Sequence, residues 1–159
     1  MENNIISEET QNGINHLISR NRDAGKGFVE VANNINHVNL TQWLIDWAKI
    51  HDELADQLEL VMKQVGVEPD SDTSMLGELH HVWIDLKAQW TNNDTAALLG
   101  ECIRGEETAL EDYQEVIAEK EMPLFARNIL NNQKSKIQEA VDGLKVLKNS
   151  YREMEDTTA

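Results

Sequence analysis

The sequence predicts an all-α fold, four long amphipathic helices packed as a bundle, with a short helix in a long crossover between helices two and three. Three observations carry that prediction. Apolar residues recur every three to four positions through four long segments, the spacing of a helix with one buried face. Runs of alternating β-branched residues, the mark of half-buried strands, are absent. The chain has only two prolines and eight glycines, so helices can run long without interruption. At 159 residues it is large enough for one domain with a sizeable core and too short for two, so residues 1–159 form one domain with its core at about 7–154.

The first segment runs from Ser7 to Asn36, with Ile14, Leu17, Ile18, Asn21, Ala24, Phe28, Val31, Ala32 and Ile35 on one stripe. Asn39 followed by Gln42 three residues later has the form of a capping box opening the second segment. That segment continues to Val65 through Leu40, Trp43, Leu44, Trp47, His51, Leu54, Leu58, Val61 and Met62, and Gly66 ends it. Pro69 breaks the following loop, and Met75 to Trp90 reads as the short helix, with Leu76, Leu79, His80, Trp83 and Trp90 on one side.

The stretch Thr91 to Asp94 is a second break. The third long helix then carries Leu99, Cys102, Ile103, Glu106, Ala109, Leu110, Tyr113, Val116 and Ile117 on its stripe. Pro123 suits the first turn of the last helix, whose stripe holds Leu130, Gln133, Ile137, Ala140, Val141, Leu144, Leu147 and Tyr151 before a tail expected to fray. Two helical hairpins joined by a long connection leave helices two and three free to run parallel, the connection found in ferritin-like bundles.

Composition narrows the function. The chain has 29 acidic against 14 basic side chains and a net charge of −15. That surplus repels phosphate backbones and anionic lipid, so neither nucleic acid nor membrane is expected as a partner, and a DNA-protecting role is disfavoured. No apolar run approaches the roughly 18 residues of a membrane span, and the N-terminus has no signal-peptide pattern, so a cytoplasmic location is expected. The single cysteine, Cys102, lies on an apolar stripe and fits a reducing compartment. Nucleophile signatures and glycine-rich phosphate loops are missing, so enzymatic turnover is not expected.

Each long helix nevertheless sets one polar residue on its apolar stripe: Asn21, His51, Glu106 and Gln133. At about 1.5 Å rise per residue, with one inter-helix turn near Val38 and the other near Met122, they fall about 25, 20, 16 and 23 Å along the bundle from the first of these turns. With the two turns at opposite ends of a bundle about 40 Å long, all four meet near the middle. A buried polar layer is therefore expected. Its plain reading is a set of mutual hydrogen bonds that fixes helix register. The alternative is a metal site in which Glu106, His51, Glu53 and Asp23 supply ligands. No cofactor is expected on the first reading; on the second the donors would suit iron or another divalent metal.

A full di-metal site of this architecture needs two Glu-x-x-His motifs on different core helices. The sequence offers one, Glu78 to His81, on the short helix. Trp43, Trp47, Trp83 and Trp90 read as packing residues, and His16 and His37 as solvent-facing or terminal.

Three runs, INHLISRNRDAGKGF (Ile14 to Phe28), GELHHVWIDLK (Gly77 to Lys87) and GECIRGEETALEDY (Gly100 to Tyr113), resemble a bacterial family of uncharacterised ferritin-like proteins along nearly the whole chain. The resemblance implies a ferritin-like bundle and carries over no reaction. Two departures bear on metal. Val141 precedes Asp142 where family members often have histidine, and Ile103 stands where they tend to have an acid. The sequence thus points to a non-catalytic interaction or stress-associated protein, with self-association into a homo-oligomer or an unidentified protein partner, and to a di-iron-type metal protein as the alternative.

Overall fold

A computed structural model describes residues 6–69 and 94–157. These form four helices and no strand: α1 (Glu8–Asn33), α2 (Val38–Gln64), α3 (Thr95–Ile117) and α4 (Leu124–Thr157). The expected short helix, with Glu78, His80, His81, Trp83 and Trp90, lies outside the described residues.

Local chemistry sets most of the helix ends. The Ser7 hydroxyl accepts the Thr10 amide at 3.1 Å and Asp94 Oδ1 accepts the Ala97 amide at 2.9 Å, each satisfying a first-turn donor with no helical partner. Gly66 closes α2 at φ 80°, a conformation that favours glycine. Its amide bonds to Lys63 O at 3.1 Å and that of Val67 to Met62 O at 3.0 Å, a Schellman motif that also folds Val67 back onto the core. Arg127, from the first turn of α4, donates to the carbonyls of Ile117 and Glu119 and so satisfies the C-terminal end of α3.

Three boundaries differ from expectation. Asn39 is not the cap of α2: the chain is already extended at His37 (φ −130°, ψ 105°), and the His37 carbonyl takes the Thr41 amide at 2.8 Å. Asn39 therefore sits inside the first turn, and Gln42 bonds Asp46 at 2.8 Å instead. Helix α1 stops at Asn33, where the Asn34 amide turns back to Val31 O. Helix α4 continues to Thr157, into the tail expected to fray, because nothing after Ser150 breaks a helix.

The buried stripes face one another and divide the core in two. One cluster joins Ile14 and Leu17 of α1 to Leu58 and Met62 of α2, Tyr113 of α3 and Leu130 of α4. The other joins Phe28, Leu44, Leu99 and Leu144. The first thus takes the beginnings of α1 and α4 with the ends of α2 and α3, and the second takes the reverse. Helices α2 and α3 therefore run parallel, opposite to α1 and α4, and the end of α2 lies at the far end of the bundle from the start of α3. Each fully buried Leu, Ile or Met contributes about 1.5–3 kcal/mol of transfer free energy, so these two clusters dominate the stability.

Close approach within the first hairpin depends on Gly25. A Cβ there would fall 2.8 Å from Asp52 Oδ1 and 3.2 Å from the Ala48 carbonyl. On the solvent side of the same contact, Arg22 binds Asp56 Oδ1 at 2.5 Å and Glu59 Oε1 at 3.2 Å.

Candidate functional site

Between the two apolar clusters lies a polar layer to which every helix contributes. Asn21, His51 and Glu106 sit on α1, α2 and α3 where one cluster gives way to the other, and Gln133 of α4 sits slightly inside the first cluster. All four side chains are buried. A buried polar group without a partner costs about 1–3 kcal/mol, so the test of such a layer is whether its donors and acceptors match.

They match as one chain of hydrogen bonds. Trp47 Nε1 donates to Glu106 Oε2 at 3.3 Å, and Glu106 Oε1 lies 3.0 Å from His51 Nε2. His51 Nδ1 lies 2.8 Å from Asn21 Oδ1. Asn21 Nδ2 donates to the Leu17 carbonyl at 2.8 Å and to the Tyr113 hydroxyl at 2.7 Å. That hydroxyl donates to Gln133 Oε1 at 2.7 Å, and Gln133 Nε2 donates to the Leu54 carbonyl at 3.1 Å and to Gln57 Oε1 at 2.8 Å.

The surroundings hold these groups in place. The His51 ring stacks on Phe28, with centroids 5.6 Å apart and planes 19° apart, and meets Trp47 edge-on at 5.8 Å. Trp43 stacks on the outer side of Trp47 at 6.0 Å. Burial pushes the Tyr113 phenol well above its usual range, so it remains a donor. Burial, with Glu106 and Glu101 nearby, pushes the Cys102 thiol up to about 12. Cys102 is then a small apolar filler rather than a nucleophile or ligand.

The candidate metal ligands do not converge. Glu106 and His51 touch, but Glu53 is exposed on the outer face of α2, and Asp23 is half-buried on α1. Asp56, which flanks the same stripe, is held by Arg22. Among the described residues no three His, Cys, Asp or Glu side chains come together as a ligand set. Both oxygens of Glu106 already face nitrogen atoms of protein groups, and the indole N–H on Oε2 presents positive charge where a cation would approach. Among the described residues this donor set is short of what a resident divalent metal requires.

Sequence reasoning passed over several members of the layer. Tyr113 was visible on the stripe but counted as apolar, Trp47 was read as packing alone, and Gln57 lies at the stripe's edge. A second polar contact was also missed. His16, expected to face solvent, is half-buried and binds Asp112 Oδ2 of α3 at 3.1 Å, while the buried Arg20 binds the same oxygen at 3.0 Å.

Fold and site together define an all-helical bundle with a closed polar layer rather than an open pocket. The chain belongs to a family described as Domain of unknown function (DUF2383), whose model matches residues 9–119. The matched span takes in Asn21, His51, Glu106 and Tyr113 and stops short of Gln133. No curated protein matches the sequence. No helix among the described residues is long and apolar enough to cross a membrane.

Proposed function

We propose that this is a ferritin-like bundle of the bacterial cytoplasm without enzymatic turnover, an interaction or stress-associated protein acting through its helix faces on a protein partner or on further copies of itself. In this reading the polar layer sets the register of the four helices and holds no metal. The observation that carries it is the matching of donors to acceptors from Trp47 to Gln57, which leaves Glu106 no free oxygen. The parallel course of α2 and α3 supports the ferritin-like assignment. The contact of His51 with Glu106 at mid-bundle favours the competing reading, a di-iron-type protein, and the experiment is chosen to separate the two.

Protein loaded anaerobically with Fe²⁺, desalted and measured by elemental analysis is expected to retain only background metal, as is Glu106→Gln. Retention of about one or two metals per chain, lost in the variant, would make Glu106 a ligand and overturn the reading. Stability gives a second check. In Glu106→Gln the amide oxygen accepts from Trp47 and the amide N–H faces His51 Nε2, so every bond has a neutral equivalent and stability should stay within about 1 kcal/mol of wild type. Glu106→Leu leaves both nitrogen atoms without a partner and should cost about 2–4 kcal/mol in denaturant titration.

A further inference from the structure

The direction of each hydrogen bond in the layer follows from two groups that can only accept, the backbone carbonyls of Leu17 and Leu54. Gln133 turns its amide nitrogen to Leu54 O at 3.1 Å, so its Oε1 must be the atom facing Tyr113. The Tyr113 proton is thereby committed to Gln133, which leaves the phenol oxygen as an acceptor towards Asn21. Asn21 meets an acceptor in Leu17 O at 2.8 Å and another in Tyr113 at 2.7 Å, so its nitrogen faces both and its Oδ1 faces His51. An amide oxygen only accepts, so His51 Nδ1 must carry hydrogen. From the other end, Trp47 Nε1 only donates and marks Glu106 Oε2 as an acceptor.

We infer that Tyr113 and Gln133 are positioning residues that orient the Asn21 amide and through it fix His51 with hydrogen on Nδ1, confining the layer's one shared proton between His51 Nε2 and Glu106 Oε1. The two residues of that pair are then neutral as a unit, whichever heavy atom holds the proton, which is how a carboxylate can sit at the centre of an apolar bundle. The control is remote. Gln133 bonds to Tyr113, Leu54 O and Gln57 rather than to His51 or Glu106, and acts through two intervening side chains. The assignment rests on the reading of the layer as filled by protein groups alone.

The test is nuclear magnetic resonance of metal-free protein labelled with ¹⁵N-histidine, with the His51 signals recognised by through-space contacts to the Phe28 and Trp47 rings. Wild type should show one His51 form with a directly bonded, slowly exchanging proton on Nδ1. Gln133→Met keeps the volume but removes the acceptor for the Tyr113 proton, which then competes for Asn21 Oδ1. A second His51 form should appear, bare at Nδ1 and protonated at Nε2. Tyr113→Phe is the companion variant: it removes the competing proton while Leu17 O still takes the Asn21 nitrogen, so it should keep the single form, and combined with Gln133→Met it should abolish the second form. Wild type bare at Nδ1 would overturn the assignment without any variant. A His51 spectrum unchanged in folded Gln133→Met, or a second form that persists when Tyr113→Phe is added to it, would overturn the positioning role. Metal retained in the Fe²⁺ loading experiment would instead fell the structural reading of the layer and leave the tautomer of the metal-free protein to be read on its own.

Discussion

Two carboxylates of α3, Glu106 and Asp112, stand six residues apart and are handled in opposite ways. Glu106 lies in the dry centre and is held by hydrogen bonds to His51 and Trp47, whereas Asp112 lies near the rim beside His16 and the Arg20 guanidinium. Burial alone would push the Asp112 carboxyl up, but the His16 hydrogen bond and the Arg20 guanidinium outweigh it, and the net shift is downward. A group whose folded value is depressed contributes stability above its unfolded value, about 3.9 for Asp, and loses it as the pH falls through the folded value. Asp112→Asn should therefore weaken the protein at neutral pH, by no more than about 1 kcal/mol because the side chain is partly solvated. Denaturant titrations should show the gap between variant and wild type closing as the pH falls below about 4. A gap that stays constant to acid pH would show that the ionised form contributes nothing. The four stripe residues Asn21, His51, Glu106 and Gln133 were legible because a polar residue at an apolar slot breaks a period. Tyr113 and Arg20 were not, since Tyr fits an apolar stripe as well as Leu does, and Arg20 stands one place beside Asn21 where a stem can bury while the head reaches across.

The four long helices and their order were written in the periodicity; boundaries were legible only where one residue type dictates the geometry. Gly66 and Asp94 are such residues: the first closes α2 and the second caps α3. Asn39 was misleading because the capping pattern scores side chains, whereas the turn was set by the extended backbone at His37. Helix-to-helix distance was not legible at all, and the glycines show why. Gly25 and Gly105 look alike in sequence, each in mid-helix, where alanine is intrinsically better by about 1 kcal/mol. A Cβ at Gly105 would meet nothing within 4 Å, so Gly105→Ala should raise stability by about 0.5–1 kcal/mol. At Gly25 the Cβ would press on a carbonyl of α2 at 3.2 Å as well as on Asp52, and forcing such a contact costs about 1–3 kcal/mol. Gly25→Ala should therefore gain nothing or lose up to about 2 kcal/mol after the propensity term is subtracted. Thermal melts of the two variants moving in the same upward direction would show that α1 and α2 are not in contact there.

Over the whole molecule the dominant electrostatic fact is the net charge of −15, and local pairing does not remove it. Arg22 draws together Asp56 and Glu59, Arg20 and His16 share Asp112, and Lys145 lies 3.9 Å from Glu107. Pairs of this partly exposed kind are worth about 0–1 kcal/mol each, while the unpaired acids repel one another across the outer faces of all four helices. Salt acts on both terms with opposite sign, weakening the pairs and relieving the repulsion. Repulsion among 15 surplus charges should prevail, because it operates over distances comparable to the Debye length, whereas the pairs are in contact and screen least. That length falls from about 30 Å at 10 mM salt to about 8 Å at 150 mM, so the gain should come mostly within this range. A stabilisation of about 1–2 kcal/mol, at about 2–4 °C per kcal/mol for a chain of this size, raises Tm by about 2–8 °C. Melting in sodium chloride across that range measures it. A Tm that falls with salt would mean that the ion pairs between helices, rather than the apolar clusters and the neutral layer between them, carry the fold. A rise that begins only above about 0.5 M would point to salting-out of apolar surface instead of screened repulsion.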